Sequence, residues 1–205
     1  MPHPLFEKHQ ELLEEALDAL QYRSYWCPYA DTPSAYGENA VEEGRAAFEA
    51  FLDAQFYLDQ PGVFARGGAE VSPYGLALNI GYPQCSPDAL IAAAKLAMPV
   101  WARAGADCRA GVCAEILARL NSGSMEIAHA VMHTTGQSLA MAFLSAGPHA
   151  QARGLEAVAS AYREMKQVPE LALWEKPRID CAIRKAFRSS ACISGRCRRG
   201  KEHCG

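Results

Sequence analysis

The chain is predicted to be mainly α-helical: antiparallel amphipathic helices joined by short turns, with one short β segment near residues 70–82. Three observations predict this. Apolar residues recur at three- and four-residue spacing in six separate windows, which places them on one face of a helix in each. Most of these windows are bounded by residues that start or stop helices. Alternation of apolar and polar residues, the mark of a half-buried strand, is confined to the stretch from Glu70 to Tyr82.

In chain order, Leu12, Leu13, Ala16, Leu17 and Leu20 stripe a first helix, and Val41, Gly44, Phe48, Phe51 and Leu52 stripe a second after the Pro33-Ser34 turn. Each is expected to dock on the later helices. Val71, Leu76, Leu78 and Ile80 alternate well enough for one or two short strands. Ser86 is a good N-cap and Pro87 suits the first helical position, where a missing N–H costs nothing. Leu90, Ile91, Ala94, Met98 and Trp101 then share a face, Lys95 and Arg103 fall outside it, and Pro99 is a place for a kink or an end. Asp107 is the next N-cap candidate, followed by a stripe of Val112, Cys113, Ile116, Leu117 and Leu120 that closes at Asn121, Ser122 and Gly123. Ser124 opens a further helix with Glu126 in its first turn, where a carboxylate meets the positive end of the helix dipole. Ile127, Val131 and Met132 are expected to face inward, and Gly136 to cap the end. A last segment starts after Gly147 and Pro148, carries Leu155, Val158, Tyr162 and Met165 in register, and has Pro169 just beyond its end.

A chain of 205 residues, half of them hydrophobic, has ample material for a core. The N-terminus MPHPLFEKHQ has neither the charged start nor the apolar run of a signal peptide, and no window reaches the length of a membrane span. A cytoplasmic location is therefore the expectation, and the 8 cysteines are read as reduced thiols. Charge changes sharply at Pro177. Beyond it, eight Lys or Arg against Asp180 and Glu202 give +6, leaving −9 for residues 1–177. Cys181, Cys192, Cys197 and Cys204 also fall in this stretch. The expected division is thus a helical segment, 1–177, and a basic, Cys-rich tail, 178–205.

Three readings of the tail compete. Cys192, Cys197, His203 and Cys204 are zinc-type ligands, but there is no Cys-x-x-Cys knuckle, and His203 beside Cys204 leaves little freedom to place both on one ion. The RCRRGK run could pair with nucleic acid phosphates, yet only Phe187 offers an aromatic nearby, and a solvated charge run is the commoner outcome. The favoured reading is that the tail is disordered or translated out of frame, because it has neither helix nor strand periodicity.

Elsewhere, Glu126, His129 and His133 share a helix face, with the histidines four apart as in helical metal sites. A metalloprotease pattern would need Glu where Ala130 stands, and a di-iron bundle would need a second Glu-x-x-His. Histidines hydrogen-bonded to a neighbouring turn are the expectation. Cys108 and Cys113, five apart, read as small hydrophobes. Tyr22, Tyr25, Trp26 and Tyr29 cluster around Cys27, either as a stacking wall for a ligand or, more commonly, as packing at a helix end.

The order of parts resembles the aldehyde dehydrogenase superfamily. Ser72-Pro73-Tyr74-Gly75 is similar to its NPATGE-like turn, ALIAAAKLAMPVW from Ala89 to Trp101 to its AxxAAxxAFPxW helix, Arg109 to Leu120 to its arginine-led helix, and Thr135-Gly136-Gln137 to its TGK-like turn. YGENA at Tyr36, LDQPG at Leu58, EVSPYG at Glu70, MHTTGQ at Met132, GPHAQARGLEAVA and WEKP resemble, more narrowly, the phenylacetic acid degradation protein PaaN family of that superfamily, over roughly Leu5 to Pro177.

The resemblance implies the N-terminal part of an α/β enzyme, without its Rossmann core, that oxidises an aldehyde intermediate of aromatic-acid catabolism with NAD or NADP. Such an enzyme needs a thiolate nucleophile, a carboxylate base and a nicotinamide cofactor. The family's GQxC-like and ELGGK-like motifs are absent, and Leu139 stands where Gly136-Gln137-Ser138 would lead to the cysteine. The Gly67-Gly68 pair reads as a flexible turn, not a dinucleotide fingerprint. The expectation is accordingly no catalytic, cofactor-binding or metal-ligating residue in this chain. A homo-oligomer is implied for the complete protein, self-association is expected of this chain, and no membrane or nucleic acid partner is expected. The alternative is a non-enzymatic helical binding module whose tail takes a metal or a nucleic acid.

Overall fold

The computed structural model describes residues 3–167. The chain divides into two compact units, 1–162 and 163–205, and of the second only 163–167 are described. Pro169, the expected boundary at Pro177 and the Cys-rich tail lie outside the described residues. Seven helices occur in the described chain: α1 Pro4–Tyr22, α2 Ala40–Glu49, α3 Pro87–Arg103, α4 Gly105–Ser122, α5 Ser124–Thr135, α6 Leu139–Ala146 and α7 Pro148–Lys166. A 3₁₀ turn spans Pro33–Tyr36, and strands β1 Val63–Gly67 and β2 Tyr82–Cys85 form an antiparallel pair. None of these helices is long and apolar enough to cross a membrane.

Helices α1, α4 and α7 build the first core. Proline at the start of α1 and the His3 Nδ1 that accepts from the Leu5 N–H at 3.3 Å fix where it begins. Phe6, Leu13 and Ala16 of α1, Ala110 and Ala114 of α4, and Ala152, Leu155 and Ala159 of α7 are buried together with Tyr29. The contact between α1 and α4 is made by backbone. A Cβ on Gly111 would lie 2.5 Å from the Phe6 amide nitrogen, so only glycine permits this approach.

That approach corrects the expected face of α4. The stripe Val112, Cys113, Ile116, Leu117 and Leu120 was to point inward, but the buried residues are Arg109, Ala110, Gly111, Ala114 and Glu115. Ile116 is 52% exposed and Leu120 44%. Small side chains let the helices close up, whereas the bulkier stripe would hold them apart. Asp107 is likewise not the N-cap. The helix starts two residues earlier because Gly105, at φ +77°, takes the left-handed turn that separates α3 from α4. Asp107 instead lies in the first turn of α4 and accepts the Tyr162 hydroxyl of α7, whose pKa is pushed up to about 12 by burial and then by that carboxylate.

The second core joins α2, α5 and α6. Met125, Ala128, Ala142, Phe143 and Ala40 are buried there, with Tyr36 edge-on to Phe143 at 5.6 Å. Ile127, Val131 and Met132, expected inward, are half-buried, while Met125, Ala128 and His129 are fully so. Gly136 caps α5 at φ +78° as its sequence position implies. Helix α6 was not anticipated. Its N-cap, Ser138, accepts from the Met141 N–H at 3.4 Å, but LAMAFLSA is too short and too uniformly apolar to show a period.

Phe48, Leu78 and Ile80 form the third core with Phe51, Phe56 and Tyr82 around them. The β segment brackets the expected stretch: β1 ends before it, β2 begins at Tyr82, and between them Val71 bridges Ala77 and Gly81 bridges Gln55. The turn at Ser72 to Gly75 interrupts the ladder there. A polar chain then ties the helix ends together. Asn121 donates to the Tyr36 hydroxyl and to Gln151 Oε1, both at 2.8 Å, and Gln151 Nε2 donates to Ser124 Oγ at 3.2 Å.

Helix α3 follows the sequence in its limits and departs from it in its surroundings. Ser86 stands at the N-cap, and Pro99 does not end the helix, which runs on to Arg103. Yet none of its residues is buried. Leu90, Ile91, Met98 and Trp101, expected on an inward face, are 37–59% exposed, and Leu96 is 81% exposed.

Glu115, buried on α4, gathers charge across the α1–α4 contact. Lys8 Nζ donates to its Oε2 at 2.7 Å, His9 Nε2 lies 2.7 Å from the same oxygen, and Arg119 Nε donates to Oε1 at 2.9 Å. Hydrogen bonds from Lys8, His9 and Arg119 hold its pKa down at about 2.

Two outcomes follow for stability. Gly111→Ala should cost about 2–3 kcal/mol and lower the thermal midpoint by several degrees, since backbone must move to admit the methyl group. Gly154→Ala, whose new methyl would meet only the flexible end of Leu117 at 3.0 Å, should be close to neutral. Circular dichroism melts of both variants check this. Because the folded pKa of Glu115 lies below the unfolded value near ~4.3, its contribution is complete above that value. It is lost as pH falls from about 4.5 toward 2. Acid titration of stability should therefore be shallower in Glu115→Gln than in the parent chain over that window.

Candidate functional site

Two of the turns quoted for the family resemblance, Ser72–Gly75 and Thr135–Gln137, meet in space. Gly75, at φ +86°, closes the turn at Ser72-Pro73-Tyr74-Gly75, and Gly136, at φ +78°, closes α5. The Tyr74 hydroxyl donates to the carbonyls of Gly136 and Gln137 at 3.1 and 3.0 Å. Pro73 packs so closely that a Cβ on Gly136 would sit 3.2 Å from it. His133 completes the junction: its Nδ1 lies 3.0 Å from Ser72 Oγ, and its ring stacks on Phe48 at 5.0 Å and stands edge-on to Tyr74 at 6.0 Å. Ser72 Oγ also accepts from the Tyr74 N–H at 3.2 Å and is buried, so the Ser72–His133 pair fixes a turn and presents no accessible nucleophile. Sequence order alone did not signal that these two turns touch.

The other two members of the helical trio point elsewhere. His129 is buried, and its Nε2 lies 3.2 Å from the Val41 carbonyl of α2, as expected of a structural histidine. Burial lowers its pKa, which keeps it neutral and donating. Among the described residues, its Nδ1 has no hydrogen-bond partner. Glu126 faces an open apolar cleft of about 210 Å³ lined by Phe48, Phe56, Leu78, Tyr82 and Val131 among others. Among the described residues, no group of three His, Cys, Asp or Glu is placed to hold a metal ion.

A thiolate nucleophile needs a thiol whose pKa is lowered by neighbours and whose sulfur can be reached. Burial pushes the Cys113 thiol up instead, against a smaller opposing effect of Arg109. Cys27 Sγ donates to the Tyr29 carbonyl at 3.1 Å, and Cys85 Sγ accepts from Gln60 Nε2 at 2.6 Å. Cys108, like these, is half-buried and free. Glu115 is the most strongly perturbed carboxylate, but a group held at about 2 is a poor general base at neutral pH. The aromatic cluster does not form a wall: Tyr22 and Tyr25 are 72% and 92% exposed, whereas Tyr29 belongs to the first core and Trp26 packs against it.

A nicotinamide dinucleotide requires a parallel sheet with a helix N-terminus behind a glycine turn. The one sheet among the described residues has two antiparallel strands; Gly67 ends β1 beside the Gln84 side chain and Gly68 follows it against the Ile80 carbonyl, so this glycine pair does not fit that cofactor.

No protein-family profile matches the chain, and no curated protein does. Among solved structures, the chain is similar to the NAD-dependent aldehyde dehydrogenase from Burkholderia multivorans, with 52% sequence identity and a TM-score of 0.79. The similarity covers 82% of this chain and 31% of that one, so the chain spans less than a third of its solved relative. A mainly helical piece with a two-stranded sheet is consistent with the N-terminal part of that fold. Identity and fold together support the aldehyde dehydrogenase superfamily as the origin of this chain.

Proposed function

We propose that the chain is an N-terminal fragment of a PaaN-like aldehyde dehydrogenase and that it is inactive by itself. The complete relatives would oxidise an aldehyde intermediate of phenylacetate or other aromatic-acid catabolism, with NAD or NADP taking the hydride. One observation carries the reading: 52% identity to an NAD-dependent aldehyde dehydrogenase, over 82% of this chain but only 31% of that one. The narrower family rests on YGENA, LDQPG, EVSPYG and MHTTGQ, of which EVSPYG and MHTTGQ form the Ser72–His133 and Tyr74–Gln137 junction. What the described part supplies to such an enzyme is a scaffold: two turns locked together and three small cores. The thiolate, the base and the dinucleotide cradle are assigned to sequence that this chain does not contain.

Purified protein given aliphatic or aromatic aldehydes with NAD or NADP should form no reduced nicotinamide above the protein-free control. Turnover that disappears on a single Cys→Ala substitution would refute the inactive-fragment reading. A genomic check is independent of activity. The bases following the Pro177 codon, read one or two positions out of frame, should encode a strand-rich continuation containing a GQxC-like turn.

A further inference from the structure

We propose that the contact between α2 and α5 is an acid-sensitive latch: a proton taken up by the buried His129 releases α2 from α5 and widens the cleft that Phe48 lines.

Helix α2 rests on two histidines of α5. Val41, in its first turn, presents a carbonyl to His129 Nε2 at 3.2 Å, and Phe48, near its end, stacks on the His133 ring at 5.0 Å. A carbonyl only accepts, so Nε2 carries the proton of the neutral His129 ring and Nδ1 its lone pair. The residue is 4% exposed, and among the described residues nothing donates to Nδ1. A proton arriving there makes a buried N–H without an acceptor, on a ring that now carries charge. Both cost free energy that opening recovers.

The backbones leave little room for solvent to relieve that cost. A Cβ on Gly44 of α2 would lie 2.5 Å from that of Met125 and 3.0 Å from the Glu126 amide nitrogen. The charged groups that act on His129 are Arg45 and Glu49 of α2 and His133 of α5. Arg45 and His133 oppose an imidazolium, and the one carboxylate, Glu49, has its Oε1 3.8 Å from Arg45 Nε. Glu126, one turn earlier on α5, faces the cleft. Helix α6 has no titratable side chain, and the Tyr36 hydroxyl is taken up by the Ala30 carbonyl and Asn121. Charge on the His133 ring, by contrast, would be met by the face of Phe48 and the Ser72 hydroxyl.

Once α2 has left, the His129 imidazole stands in water and titrates near ~6.5. Burial, the largest cause, holds its pKa below that in the closed form. Between the two values the open form binds one more proton, so opening gains about tenfold for each pH unit of acidification. Above ~6.5 the latch does not respond to pH. Opening takes Phe48 away from Leu78 and Ile80, and Ala40 away from Met125 and Ala128. The cleft of about 210 Å³ then loses the wall that faces Ile127, Ala130 and Val131 of α5.

Amide hydrogen exchange of the full 205-residue chain between about pH 5 and 8, above the window in which Glu115 titrates, tests this. Protection of the α2 amides should be lower than that of α1 and α4 throughout, and should fall about tenfold per pH unit below ~6.5. In His129→Gln it should not change with pH, whereas His133→Gln should lower it at every pH and keep the slope. If the glutamine chain does not fold, His129→Leu replaces it, and the His129 ring resonances of the parent give a second readout. These should stay those of the neutral form well below ~6.5 while α2 is protected. Protection of α2 that ignores pH, or equals that of α1 and α4, would overturn the latch. So would a slope that survives loss of His129, or a His129 ring that titrates at ~6.5 with α2 still closed.

Discussion

The close approach of α1 and α4 is the constraint on which the first core depends. Helices with large side chains between them sit further apart, and here the backbone of Phe6 touches the position of a missing Cβ on Gly111. Once that distance is set, the positions beside it are small as well, and Ala110, Ala114, Ala152 and Ala159 are buried there alongside Phe6, Leu13, Tyr29 and Leu155. The same device recurs at Gly44, where a Cβ would lie 2.5 Å from that of Met125 and bring α2 against α5. Tight helical contacts of this kind draw their stability from dispersion and exclusion of water along the backbone, and less from large side chains. Buried charge reinforces them: Glu115 sits behind Gly111 on the same face of α4 and binds Lys8 and His9 of α1.

Where alanine and glycine make the close helix contacts, several bulkier apolar residues are left outside. Ile116 and Leu120 on α4, and Leu90, Ile91, Leu96, Met98 and Val100 on α3, are all exposed. Apolar burial stabilises by roughly 25 cal/mol per Å², so a surface of this composition carries a strong tendency to find a partner. The chain spans only 31% of the solved aldehyde dehydrogenase it is similar to.

Much of this architecture was legible in the sequence, and the failures share one physical cause. Helix limits followed caps and breakers: Pro87, Gly136 and Pro148 stand where their chemistry places them, because such rules depend only on backbone geometry within a few residues. The faces were less legible. Periodicity identifies an apolar stripe but cannot tell whether the stripe or the small-residue face beside it meets the neighbour. On α4 the Ala110-Gly111-Ala114 face won because it permits closer contact. On α3 the stripe was correct as a pattern and has no cover among the described residues. Helix α6 went unseen since eight nearly uniform apolar residues hold no phase information. Of the site, the histidines' partners could be named only as a class. That His133 would bind Ser72, and Tyr74 the end of α5, required two turns some sixty residues apart to be brought together.

That junction is built from side chains whose polar atoms are already engaged within the fold. The chain's reactive-looking groups already have structural engagements: Ser72 with His133 and the Tyr74 amide, Tyr74 with two carbonyls, His129 with Val41, and Glu115 with Lys8, His9 and Arg119. A side chain held in this way gains precision of position and loses the freedom to exchange protons or attack. Catalysis asks for the opposite, a group whose best partner is the transition state. The polar residues of the described chain fix the relative placement of helices and turns, and placement to within fractions of an ångström is what any catalytic group resting on such a structure would require of it.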